Sequence, residues 1–69
     1  MNSPLRVARE KRELTLQQVA LAVGIDSGNL SRIERGAQTP SKDLTERLVA
    51  FYAGEVTEMQ IIFPERFAA

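Results

Sequence analysis

LTLQQVALAVGIDSGNLSRIERG, the stretch from Leu14 to Gly36, decides how this chain is read. Thr15 and Gln18 have the spacing of a capping box, in which the hydroxyl accepts a first-turn N–H and the amide reaches back to the cap. A helix therefore opens at Thr15, and Val19, Ala20 and Val23, at i, i+1 and i+4, give it one apolar face. Small Ala20 lets a neighbouring helix come close. The helix ends before Gly24. Asp26 then caps a further helix from Ser27 to about Arg35, and Gly36 stops it in the left-handed conformation that glycine tolerates.

Turning about 100° per residue from Gly28 puts Ser31 at about −60°, Arg35 at about −20° and Arg32 at about +40°. Ser27 and Asn29 flank this stripe, while Leu30 and Ile33 face the other way. The outward face thus carries no large apolar residue. It offers a guanidinium able to meet guanine O6 and N7 together, hydroxyls able to donate or accept, and at Gly28 room for a base edge. Ser27 and Gly28 also lie at a helix N-terminus, where free N–H groups favour a phosphate, and Thr15, Gln17 and Gln18 open the preceding helix in the same way. Two such ends, with Arg35 and Lys42, would straddle a groove of duplex DNA. A polar face turned only to water has the same periodicity.

Outward from this stretch the signals stay helical, and no segment alternates apolar and polar residues between turn dipeptides as a strand would. Ser3 caps a first helix with Pro4 at its first position, and Leu5, Ala8 and the stem of Arg12 form its inner stripe. After the loop Ala37-Gln38-Thr39-Pro40, Ser41 caps a fourth helix with Leu44, Leu48, Phe51 and Tyr52 inward and Gly54 at its end. Thr57 and Gln60 repeat the capping box for a short fifth helix, which Pro64 closes. The expectation is an all-α, five-helix fold, residues 1–69 forming one domain with 58–69 as its terminal helix and tail. A chain of 69 residues buries only about 60% of its unfolded surface.

The chain contains no cysteine and no histidine, so disulfides, thiolate zinc sites and the side chains most used for catalysis near neutral pH are excluded. No metal, cofactor or small-molecule ligand is expected, and no enzyme. The polar Met1-Asn2-Ser3-Pro4 opening and the lack of any apolar run near 20 residues predict a cytoplasmic protein without a membrane anchor. Net charge is zero, yet it is unevenly distributed. Residues 1–42 hold seven Lys or Arg against four acids, a local +3, and residues 43–69 two against five, a local −3. One half suits phosphates while the other turns away.

Leu14 through Ala20, then Val23-Gly24-Ile25, then Leu30 through Gly36 and Pro40, with Arg9 upstream, resemble the phage Cro and repressor (XRE-like) helix-turn-helix family. The likeness covers about residues 5–52. It implies a lambda-repressor-like fold of four or five helices and an ion pair between Arg9 and Glu34, which we expect to be half-exposed. It places base readers at Ser27, Gly28 and Arg32, with Ser31 on the same face. It places phosphate contacts on Asn29, Arg35, Gln38 and Thr39, with Lys42 just beyond. One departure stands out: where the family often has a glutamine that clamps a phosphate, this chain has Leu16, and either Gln17 or Gln18 takes over or the contact is lost. Leu16 and Leu21 are apolar at positions expected to face outward.

Met59, Ile61, Ile62, Phe63 and Phe67 are more apolar side chains than so short a helix can bury on one face. Some should face outward as the seam of a symmetric homodimer reading two half-sites, unless the tail folds back over the first and fourth helices. The implied function is a sequence-specific DNA-binding regulator, most simply a small Cro-like repressor on a palindromic operator. Two alternatives are an antitoxin-type regulator that also binds a protein toxin, and a protein-interaction module that keeps the fold.

Overall fold

The computed structural model describes residues 2–68. Its helices are α1 (Pro4–Lys11), α2 (Leu16–Val23), α3 (Ser27–Glu34), α4 (Lys42–Phe51) and α5 (Glu58–Ile62), followed by a 3₁₀ turn at Pro64–Arg66. There is no strand among the described residues. Each helix starts on the side chain the sequence offers. Ser3 accepts from Arg6 N, Asp26 from Asn29 N and Ser41 from Leu44 N, and capping boxes close over Thr15/Gln18 and Thr57/Gln60. Helices of 5 to 10 residues are too short to persist alone, so packing must hold them.

That packing is one core of Leu5, Ala8, Val19, Ala20, Val23, Leu30, Ile33, Leu44, Leu48, Tyr52, Val56 and Ile61. The Cα radius of gyration is 10.3 Å, against about 11 Å for a compact chain of this length. Gly24 makes the α2–α3 turn at φ +80°, where Ile25 N bonds back to Ala20 O, and there a side chain would be strained. The turn orients α3 so that Leu30 and Ile33 are sealed in the core and its other face meets solvent.

Several boundaries and orientations differ from expectation. The fourth helix ends at Phe51, and Gly54 sits in the turn beyond it. Phe51 is half-buried, its ring edge-on to Tyr52 at 4.9 Å. Pro64 begins a 3₁₀ turn, so the chain continues past the point where α5 stops. Leu16, at the first position of α2, is half-buried and packs on the core, whereas Leu21 is 84% exposed. Ile61 is 1% exposed and belongs to the core, so it cannot form part of a dimer seam. Met59, Ile62, Phe63 and Phe67 are exposed.

Candidate nucleic-acid interface

The frame under α3 begins with Arg9. Its Nε donates to Glu34 Oε2 at 2.9 Å and Nη2 to Glu34 Oε1 at 3.2 Å, a two-point contact between α1 and the last residue of α3. Nη1 donates to Leu14 O, which fixes the α1–α2 connection as well. The side chains are 13% and 5% exposed, so Glu34 is buried and Arg9 largely so, where a half-exposed pair was expected. Hydrogen bonding to Glu34 first, then the carboxylate's charge, raises the pKa of Arg9 above its ordinary value against the opposing effect of burial.

On the outward side, Gly28, Arg32 and Arg35 are exposed and Ser27, Asn29 and Ser31 half-exposed. Ser31 and Arg35 border a shallow cleft of about 180 Å³ shared with Arg6 and Leu16. Arg35 Nε lies 3.4 Å from Ser31 O, a long contact that leaves its terminal nitrogens available. Arg32 is held more firmly. Its Nε donates to Gln38 Oε1 at 3.0 Å and its Nη2 to Asn29 Oδ1 at 3.2 Å. Both amides were expected among the phosphate contacts; their carbonyl oxygens are engaged with Arg32, and their NH₂ groups remain as donors.

Gln18 is likewise engaged, its Oε1 accepting from Thr15 N at 2.8 Å, while neighbouring Gln17 is exposed and makes no side-chain hydrogen bond. Thr39 is exposed in the loop and Lys42 at the start of α4. Among residues 1–42, Arg6 pairs with Glu10, Arg9 with Glu34 and Arg12 with Glu55. Among the described residues there, the cations without an ion-pair partner are Lys11, Arg32, Arg35 and Lys42. The local excess of positive charge is thereby concentrated, with Arg32 on α3 and Arg35 at its C-terminal cap.

Two arginines do structural work that the sequence reading missed. Arg12 donates to Phe51 O and Tyr52 O at the end of α4 and lies over the Tyr52 ring at 5.2 Å. Arg47 donates from Nη1 to Val23 O at 2.6 Å, capping α2 from α4, and pairs with Asp43 through Nη2. Only the i, i+4 spacing of Asp43 and Arg47 hinted at either. Among the described residues no group of acids could hold a metal ion, and no helix is long and apolar enough to cross a membrane.

No solved structure matches the chain. The chain is similar to the cryptic phage CTXphi transcriptional repressor RstR of Vibrio cholerae, 29% identical over 58 residues. That alignment covers 84% of this chain and 52% of RstR, so the chain spans about half the length of this relative. A family model described as a helix-turn-helix domain matches residues 4–60, from the start of α1 into α5. On this match, and on the paired helices α2 and α3 with their outward polar face, the chain belongs to the helix-turn-helix family, of the phage XRE-like kind that its sequence resembles.

Proposed function

We propose that this protein is a sequence-specific DNA-binding transcriptional repressor that sets α3 into the major groove of a palindromic operator as a homodimer. The observation that carries this is the outward face of α3, where Ser27, Gly28, Ser31, Arg32 and Arg35 meet solvent above a sealed back of Leu30 and Ile33. Ser27, Gly28, Ser31 and Arg32 read bases. Arg32 can recognise guanine, and the short side chains beside it let the helix approach closely.

Arg35, Lys42, Thr39, Gln17 and the free amide protons of Asn29 and Gln38 hold the phosphates. Gln17 is favoured over Gln18 as the residue that takes over the clamp, because its exposed side chain is free to turn toward a phosphate, whereas the capping box holds the Gln18 amide against Thr15. RstR's name as a transcriptional repressor supports repression, by occupancy of promoter DNA.

Binding to random-sequence duplexes, with selection of the tightest, tests this reading. The selected sites should contain two inverted half-sites centred about one helical turn, roughly 34 Å, apart. Arg35 and Lys42 on each of two protomers neutralise about four phosphates, so log affinity should fall with log salt at a slope of about −4. Absence of salt-dependent duplex binding at micromolar protein would overturn the proposal.

A further inference from the structure

Arg32 carries the sharpest chemistry of the outward face, and it is a long side chain that in water samples many rotamers. A base reader that wanders must be ordered on binding, and each such immobilised side chain lowers affinity about 2- to 10-fold. Here the ordering exists before any partner arrives. Gln38, six residues on and in the loop beyond α3, accepts from Nε; Asn29, one turn back along α3, accepts from Nη2. The two amides come from either side along the chain and grip different nitrogens, which fixes the plane of the guanidinium as well as its position.

Gly28 completes the arrangement. A Cβ at that position would stand 3.6 Å from Arg32 Nη1 and 3.2 Å from the Asp26 carboxylate that caps α3. The guanidinium thus lies back over the first turn of its own helix, in space that a larger residue 28 would occupy. Nη1 makes no hydrogen bond among the described residues. What the bracing leaves for an acceptor is Nη1 and the second Nη2 proton, the terminal edge of the guanidinium, which fits guanine O6 and N7 as a pair.

We infer that Asn29 and Gln38 are positioning residues that set the specificity of Arg32, presenting its terminal edge to a guanine while their own NH₂ groups remain free for the DNA backbone. The inference rests on the DNA-reading role proposed above and adds to it a division of labour. The family resemblance expects these two amides to touch phosphate; the hydrogen bonds make them part of the base-reading device. Losing the Gln38 brace therefore alters which sequence is preferred, and not only how tightly DNA is held.

The test uses the duplex that the intact wild-type chain selects from a random library, together with the same duplex substituted at each base pair in turn. Dissociation constants are measured for wild type, Arg32→Ala, Gln38→Ala and the double variant. Arg32→Ala should flatten the preference at one G·C pair in each half-site. Gln38→Ala should reduce that same preference roughly 2- to 10-fold, leave preference at other positions unchanged, and remove no further preference once Arg32 is Ala, apart from the uniform loss of its backbone contact. Asn29→Ala, which keeps the backbone N–H that Asp26 caps, should act at the same base pair. An equal loss on every duplex, additive with Arg32→Ala and with the preference at that base pair unchanged, would make Gln38 a plain phosphate contact and overturn the inference. So would an Arg32→Ala protein whose sequence preference is intact. If the wild type binds no duplex at all, the DNA-binding proposal fails first, which separates the two outcomes.

Discussion

At the residue scale, the Arg9–Glu34 pair has the largest stability at stake. Breaking a buried, two-point ion pair from one side leaves the other charge unpaired, and Arg9→Ala should cost about 3 kcal/mol or more. For a chain of 69 residues with roughly 3–10 kcal/mol to lose, urea unfolding should show a much lower midpoint or no folded baseline. Arg9→Met combined with Glu34→Leu should recover most of the loss, since neither charge is then stranded. Tyr52 makes a different prediction. Its ring is fully buried and its hydroxyl has no partner among the described residues. Burial first, then the charge of Glu34, pushes its pKa up from 10.0 to about 12. The folded chain keeps a proton there that the unfolded chain has lost, so stability falls as pH rises from about 10 to about 12, by roughly 2–3 kcal/mol in all. Tyr52→Phe should match or exceed the wild-type melting temperature at neutral pH and lack this part of the alkaline loss. A Phe variant less stable by more than about 1 kcal/mol would reveal a partner for the hydroxyl.

At the scale of elements, the α2–α3 turn is set by Gly24 together with Arg47. Alanine at 24 would hold φ +80° against its own Cβ, which would stand 3.1 Å from the Arg47 nitrogen that caps Val23 O. Gly24→Ala should therefore destabilise by about 1–2 kcal/mol in thermal melts, with Arg47→Ala losing less because only the cap is removed. Helix starts were legible in the sequence because a cap joins residues three apart, and Ser3, Thr15, Asp26, Ser41 and Thr57 all cap as their spacing predicts. The polar stripe of α3 was legible for the same local reason. Arg12 and Arg47 were not, since their carbonyl partners lie 39, 40 and 24 residues away and periodicity carries no such information. Ile61 went astray because a five-residue helix gives too little pattern to phase its faces. Asn29 and Gln38 entered through the family resemblance as phosphate contacts, but their grip on Arg32 joins a helix to a loop, which a helical projection does not display.

At the scale of the whole molecule, the exposed apolar side chains gather toward the C-terminal tail. Phe67 and Val7 border a groove of about 380 Å³ between α1 and the segment around Val56 and Gln60, and Met59, Ile62 and Phe63 are exposed on or beside α5. If this surface joins two copies, the intact chain should sediment as a dimer at micromolar concentration. Met59→Lys with Ile62→Lys should then give a folded monomer that binds the selected palindrome far more weakly, because two half-sites no longer act together. A wild-type chain that stays monomeric both free and on DNA would rule out that seam. The long arginine ties have a consequence of another kind. Arg12 fastens the end of α1 to the end of α4, and Arg47 fastens α4 to the end of α2, so the ends of α2 and α4 are both closed by side chains from elsewhere in the chain. The 23-residue reading head is therefore not a portable cassette: grafted alone into a host protein, it would arrive with the last carbonyl of α2 uncapped and its apolar back open to water. Swapping operator specificity between relatives should work by exchanging outward residues of α3 within this scaffold, and fail when the two helices are moved without it.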